Sequence, residues 1–153
     1  MEYGSIEREI HVEATPEVVF EVISSPEHLK EWWPDETDLE PVPGSVGNLV
    51  FDAATADPKV VAITVVDVEP PKLFRFRWVH PQGESATPNN SLLVTFELVP
   101  SGTGTLVRMT ETGFREQGWE VAVLEATYQD HSVGWDHHLG RLIAYVERLG
   151  SSR

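Results

Sequence analysis

The sequence contains no cysteine, which excludes disulfide bonds and thiolate metal sites. It also lacks an apolar stretch close to the roughly 20 residues that a helix needs to cross a bilayer, so we expect no membrane insertion. The first ten residues, MEYGSIEREI, do not have the charged-then-apolar pattern of a secretory signal peptide. Together these absences predict a cytoplasmic protein.

Basic residues are scarce. The chain has 11 Lys and Arg against 25 Asp and Glu, a net charge of −14. Such a surface repels the phosphate backbone of nucleic acids and the headgroups of anionic lipids, so we expect no nucleic-acid partner. The charge favours a neutral, cationic or apolar ligand, although it also serves solubility alone. The length of 153 residues suits one domain over residues 1–153.

The N-terminal part of the chain shows one strand pattern followed by two helix starts. Apolar and polar residues alternate over residues 6–13, which predicts a half-buried strand. Residues 15–16 and 25–26 are Thr-Pro and Ser-Pro, which pair an N-cap with a proline at the first helical position. Two short helices are therefore expected, and the second ends before Pro34.

Five further strands are predicted in the middle of the chain. Their connections are short turns or polar loops, such as those at residues 34–46 and 81–90, and sequential strands joined in this way form an antiparallel meander. The predicted strands cover residues 47–53, 59–69, 72–80, 91–99 and 105–114. Residues two apart share a face: Phe74, Phe76, Trp78 and His80 in one strand, and Val107, Met109 and Glu111 in another.

The last third of the chain is predicted to be helical. From Tyr128 to Leu149 apolar residues recur with a helical period, and we expect Trp135, Leu142 and Val146 to be buried against the sheet. Residues 115–127 fit either an added helical turn or a lid over the sheet. The long helix is the element available to cover one face of the sheet, and a twisted sheet around one helix leaves room for an apolar cavity.

Four stretches carry a family resemblance: SSPEHLKEWWP (24–34), VEPPKLFRFRW (68–78), LLVTFELVPSGTGTLVRMTETGF (92–114) and SVGWDHHLGRLIAYVE (132–147). They resemble the START-like, or SRPBCC, helix-grip superfamily, and more narrowly the domain named for the heat-shock-protein ATPase activator homologues. The resemblance implies an α+β helix-grip fold, with about six antiparallel strands curved around a long C-terminal helix and two short helices after the first strand. It also implies a hydrophobic cavity. Members of the superfamily bind lipids, hormones or polyketides, and a few catalyse cyclisation.

The leading functional hypothesis is a non-catalytic protein that holds a small apolar or amphipathic ligand between the sheet and the C-terminal helix. The sequence has no nucleophile motif and no phosphate-binding loop, and we expect no cofactor. Neighbouring side chains diverge on a helix, so one of the two adjacent tryptophans is expected at the pocket mouth. The candidate ligand-binding residues are Trp32, Trp33, Phe51, Phe74, Phe76, Trp78, His80, Phe96, Met109, Glu111, Trp135, His138 and Leu142.

Two alternatives stay open. Glu111 could act with His80 or His138 as acid and base in a polyketide cyclase or dehydratase, or it could be a rim carboxylate in water. The family name also allows an interaction module in a stress response, with a protein partner or a homodimer.

The histidines near the C-terminus do not predict a metal site. His131 and His138 are two helical turns apart, about 10 Å along the axis, and the adjacent His137 and His138 point about 100° apart. No pair has the i, i+4 spacing of a helical zinc site. We therefore expect each to lie at a pocket edge or on the surface.

Overall fold

The computed structural model describes residues 4–151, with side chains as far as residue 149. A 3₁₀ turn over residues 115–117 precedes the last helix. In chain order the elements are β1 (Ser5–Val12), α1 (Pro16–Ser24), α2 (Pro26–Trp32), β2 (Glu36–Thr37), β3 (Val46–Phe51), β4 (Lys59–Glu69), β5 (Leu73–His80), β6 (Leu92–Ser101), β7 (Gly104–Thr112) and α3 (Val121–Ser151).

One sheet of seven antiparallel strands runs in the order β1-β7-β6-β5-β4-β3-β2. The predicted helix-grip fold, a curved antiparallel sheet with a long C-terminal helix and two short helices after the first strand, is confirmed. The seventh strand is the two-residue β2, which lies inside the segment 34–46 that was expected to be a loop. It pairs with Val50 and Leu49 of β3. Such a short edge strand carries no hydrophobic period from which a sequence could predict it.

The two short helices begin where the Thr-Pro and Ser-Pro pairs predict. Thr15 has an extended backbone, and its hydroxyl accepts a hydrogen bond from the N–H of Val18. Ser25 both ends α1 and precedes α2 with the same extended backbone, without a side-chain capping bond. The sharp break at Ser25 lets α2 run towards α3, where the site lies.

The C-terminal helix begins earlier than the predicted Tyr128, at Val121, so residues 115–127 form a 3₁₀ turn and two added helical turns. The added turns carry no apolar period because Val121 and Val123 face solvent. The remainder behaves as predicted, since Trp135, Leu142 and Val146 are buried. Within residues 4–151, no helix combines the length and apolarity needed to cross a membrane.

The interior between sheet and helix is filled by side chains. A close-packed core leaves few voids larger than a water molecule, and six of the apolar residues predicted to line the cavity are at most 1% exposed here. They are Trp32, Phe74, Phe76, Phe96, Met109 and Leu142. The expected apolar cavity at these residues is therefore occupied by the core itself, because these six large side chains from the sheet, α2 and α3 fill the space that the fold could leave open.

Candidate functional site

The open space of the molecule lies at one side of the core, between the end of α2, strands β3 to β5 and the middle of α3. It is a cleft of about 510 Å³. Aromatic rings and ionisable groups share its wall. The lining residues are Trp33, Asp35, Phe51, Asp52, Lys59, Val61, Trp78, Val79, Asp130, His131, Gly134, Trp135, His137, His138 and Arg141.

Trp33 forms the centre of the cleft floor. Its ring centroid lies 5.0 Å from that of Trp78, 5.4 Å from Trp135 and 6.1 Å from Phe51. All three tryptophans are less than 10% exposed although they line the cleft, so they form its bottom. Rings packed at these distances and angles gain stability beyond their burial alone, and the floor is rigid as a result.

The expectation that only one of the two adjacent tryptophans turns inward is wrong. Trp32 is the last residue of α2 and is fully buried, with its indole N–H donating to the carbonyl of Val22 at 2.9 Å. Trp33 has left the helix, with φ −122° and ψ −93°. Because its backbone is no longer helical, the divergence of helical neighbours does not apply, and both rings pack inward.

Glu111 lies behind the floor and is fully buried. Its Oε2 accepts a hydrogen bond from the indole N–H of Trp78 at 2.6 Å. Its Oε1 accepts one from the indole N–H of Trp135 and lies 2.9 Å from Nδ1 of His131. Strand parity predicted its inward direction correctly, whereas the alternative of a rim carboxylate in water is wrong.

The partners expected for Glu111 are also corrected, since His131 and two indoles hold it instead of His80 or His138. His131 and Trp135 are four residues apart on α3, so they share one face of the helix. That face lies over β7, where Glu111 is, and over Trp78 of β5. A spacing of i, i+4 opposite an inward carboxylate is the signal by which the sequence could have shown this contact.

His80 does not share the face of Trp78, contrary to the alternation predicted for β5. Trp78 pairs with Ile63 and His80 pairs with Ala62, so Val79 is an extra residue on this strand. Val79 has φ +67°, and this β-bulge reverses the alternation beyond it. His80 consequently lies at a second hollow of about 280 Å³, next to Ala62.

His138 lies where it was predicted, on the wall of the cleft. Its Nδ1 donates to the backbone carbonyl of Trp32 at 3.3 Å, and its ring lies 6.2 Å from that of Phe51. Burial lowers the pKa of His138 to about 4; the hydrogen bond to Trp32 opposes this shift, and the neighbouring His137 and Arg141 add to it. The imidazole is therefore neutral near pH 7.

The rim of the cleft carries both signs of charge. Asp35, Asp52 and Asp130 are acidic, while Lys59 and Arg141 are basic. Lys59 Nζ lies 3.9 Å from a carboxylate oxygen of Asp52, and both side chains are more than half exposed, so the pair is screened by solvent. Among the residues that the structure describes, no three His, Asp or Glu side chains are placed to hold a metal ion.

The structure thus divides the predicted site residues into four groups. Five line the cleft: Trp33, Phe51, Trp78, Trp135 and His138. Glu111 lies directly behind them, and His80 is at the other hollow. The remaining six belong to the core. His131 lies at the edge of a pocket, as expected, but its contact with Glu111 and the charged rim were not predicted, because these polar residues follow no hydrophobic period.

Comparison with known proteins agrees with this architecture. Residues 13–147 match the family model described as Activator of Hsp90 ATPase homolog 1-like protein, whereas no curated protein matches the chain. The crystal structure of protein MLL2253 from Mesorhizobium loti is similar at 26% identity and a TM-score of 0.74, over 94% of this chain and 97% of that one.

Two further solved structures share the fold. The Aha1 dimer from Colwellia psychrerythraea matches at 20% identity and a TM-score of 0.73, over 94% of this chain and 96% of that one. DynU16, from the dynemicin biosynthetic locus, matches at 20% identity and a TM-score of 0.70, over 94% of this chain but 47% of that one. Since the family model covers most of its length, this chain belongs to the Activator of Hsp90 ATPase homolog 1-like family.

Proposed function

We propose that this protein binds a small amphipathic molecule in the cleft, with the apolar part of the ligand on the tryptophan floor and its polar part at the charged rim. The observation that carries the proposal is the open cleft of about 510 Å³ over Trp33, Trp78 and Trp135. Ligand sites in proteins are typically concave, of several hundred Å³, and mainly apolar with a few polar groups.

The floor supports an apolar contact. The three indole rings are held by neighbours at 5.0 to 5.9 Å, and two of them are also fixed by hydrogen bonds to Glu111. A rigid floor loses little conformational entropy when a ligand covers it. Planar or aliphatic surface is therefore the part of a ligand that this floor favours.

The rim supports an amphipathic ligand over a purely apolar one. A ligand with no polar group would remove Asp35, Asp130 and Arg141 from water without replacing their hydrogen bonds, which costs free energy. A ligand whose polar end remains at the rim avoids this cost. The predicted ligand class is retained, and the proposed site lies at one side of the space between the sheet and the C-terminal helix in which the ligand was expected.

The test uses two glycines of α3. Gly134 lines the cleft and Gly140 is exposed to solvent, and a Cβ added at either meets nothing within 4 Å. A glycine in a helix interior is less favourable than alanine by about 1 kcal/mol. Because either replacement removes such a glycine, Gly134→Leu and Gly140→Leu should both fold. The Gly134→Leu side chain enters the cleft, whereas the Gly140→Leu side chain does not.

The probe is N-phenyl-1-naphthylamine, whose fluorescence rises in apolar surroundings. We expect saturable binding to the unchanged protein and to Gly140→Leu, and a loss of at least tenfold in affinity for Gly134→Leu, equivalent to about 1.4 kcal/mol. Equal affinity in all three proteins would show that the probe binds elsewhere and would contradict the proposal.

A further inference from the structure

The hydrogen bonds of Glu111 determine which nitrogen of His131 carries a proton. An indole N–H can only donate, so Trp78 and Trp135 both require acceptor oxygens on Glu111. A buried carboxylate is stabilised by such donors. The remaining contact, 2.9 Å from Oε1 to Nδ1 of His131, then places the imidazole proton on Nδ1, and the lone pair of the neutral ring is on Nε2.

Nε2 of His131 is open to the cleft. Within residues 4–151 the buried side-chain nitrogen and oxygen atoms without a hydrogen-bond partner are on Asn48 and Arg75. Nε2 of His131 is not among them, so it is accessible to solvent. No hydrogen bond of His131 other than that to Glu111 is found among the described residues. The side chain is 13% exposed and lines the cleft, and the ring edge opposite Glu111 is the part that faces it.

The ring of His131 is also fixed in orientation. It lies 5.3 Å from the ring of Trp78 and 5.7 Å from that of Phe114. His138, also at the cleft, donates its Nδ1 proton to a backbone carbonyl and has no carboxylate partner. A carboxylate behind the imidazole stabilises the imidazolium that forms when Nε2 takes up a proton, as in catalytic His–carboxylate pairs.

We propose that the cleft is a proton-transfer site in which His131 is the general base and Glu111 is its positioning residue. This rests on the proposed ligand binding. Nε2 takes a proton from a C–H bond next to a carbonyl of the bound ligand. The C–H electron pair becomes the C=C bond of the enolate, and the carbonyl oxygen takes the negative charge. Return of the proton from Nε2 to the same or a conjugated carbon completes an exchange or isomerisation, and no co-reactant is consumed.

The other lining residues define the substrate class. None of the described lining residues has a hydroxyl or thiol group, so the wall does not offer the nucleophile of an acyl-transfer enzyme. The tryptophan floor accepts a planar apolar body, and Lys59 and Arg141 supply positive charge in the same cleft, where it would stabilise an enolate. A carbonyl compound with a planar or conjugated apolar part fits all three features.

The experiment uses 5-nitrobenzisoxazole, a planar carbon acid. A base removes its ring C–H proton, the C–H pair forms the nitrile, and the N–O bond breaks to give a coloured phenolate. We expect saturable elimination by the full chain. His131→Gln should lower kcat/KM by about 100-fold, the lower end of the contribution of a general base. His11→Gln, an exposed site on β1, should leave the rate unchanged.

Three further proteins separate a positioning role from a structural one. Glu111→Gln keeps the shape and should lower kcat with little change in KM. His131→Gly should recover activity when imidazole is added, which a purely structural histidine would not allow. Gly134→Leu keeps both residues but fills the cleft, and it should lose elimination. Circular dichroism establishes that each variant is folded. If Glu111→Gln unfolds, the comparison of the unchanged protein with His131→Gln still tests the role of the base.

The outcomes distinguish the two proposals. If 5-nitrobenzisoxazole displaces N-phenyl-1-naphthylamine but elimination is no faster in the full chain than in His131→Gln, the proton-transfer inference is overturned and ligand binding stands. If neither compound binds, the binding proposal fails, and the inference that rests on it fails with it.

Discussion

Glu111 connects the core to the cleft at the scale of single residues. A fully buried carboxylate is unfavourable unless its oxygens are hydrogen-bonded, and here three donors from two elements satisfy it. Two of those donors are rings of the cleft floor, so the groups that satisfy the charge also fix the surface that a ligand would touch. The stability of the core and the shape of the cleft therefore depend on the same hydrogen bonds.

His138 should make the stability of the protein depend on pH. Its pKa is lowered by burial to about 4 in the folded state, compared with about 6.5 in an unfolded chain. Below pH 6.5 the unfolded chain takes up the proton first, so the contribution of His138 is complete above that pH and is lost as the pH falls towards 4. The charged or polar groups around it are His137, Arg141 and the carbonyl of Trp32.

The change to test is His138→Gln, whose amide can still donate to that carbonyl. We expect the free energy of unfolding of the unchanged protein to fall more steeply between pH 7 and pH 4 than that of the variant. The difference should be on the order of 1–2 kcal/mol once the partial exposure of the ring is allowed for. Urea titrations at several pH values measure it, with His11→Gln as the exposed control. Parallel curves for all three proteins would contradict the assignment.

At the scale of elements, Val79 distorts β5. A β-branched residue at φ +67° is an outlier, and the bulge it forms separates Trp78 from His80. Val79 is 40% exposed, and Val99 of β6 is 41% exposed without a positive φ. The two valines therefore form a matched pair in which only one has an unfavourable backbone conformation.

Asparagine tolerates the left-handed region better than valine does. We expect Val79→Asn to raise the free energy of unfolding by about 1 kcal/mol, because relief of the backbone strain exceeds the loss of a half-exposed apolar side chain. Val99→Asn should lower the free energy of unfolding, since asparagine is disfavoured in a regular strand. Thermal unfolding compares the two variants. The same sign for both would mean that the backbone at Val79 is not strained.

The elements also show which parts of the fold and of the site could be predicted from the sequence. Six of the seven strands, the two short helices and the inward direction of Glu111 followed from periods of two and from N-cap residue types, which are local signals. The place of His80, the inward turn of Trp33 and the start of α3 at Val121 did not follow. The first two depend on a residue whose backbone leaves the regular strand or helix conformation, at Val79 and Trp33. The third depends on helical turns with exposed side chains. None of these features changes the hydrophobic pattern of the sequence. The location of the cleft also could not be predicted, because the volume left over by a filled core is a property of packing and not of any period.

At the scale of the whole molecule, the net charge of −14 surrounds a cleft whose own rim is nearly balanced. Long-range attraction to the acidic surface therefore favours cationic ligands. Short-range contacts with Lys59 and Arg141 favour anionic ligands instead. The range of the attraction to the whole surface depends on salt concentration, since the Debye length is about 30 Å at 0.01 M and about 8 Å at 0.15 M. Salt can separate the two effects. A protein partner or a homodimer stays a prediction at this scale.

The matched probes are octyltrimethylammonium and octyl sulfate, which share an apolar chain and differ in the sign of the headgroup. Below their micellar concentrations at 0.01 M salt, we expect the cation to displace N-phenyl-1-naphthylamine at roughly tenfold lower concentration than the anion, a difference of about 1.4 kcal/mol. At 0.15 M salt the preference should shrink, because screening removes the contribution of distant carboxylates before that of the rim. An anion that binds as tightly as the cation at low salt would show that Lys59 and Arg141 dominate the field in the cleft. Because Gly134→Leu fills the cleft, it should bind neither compound in preference to the other, which ties the measured preference to the cleft and not to the acidic surface as a whole.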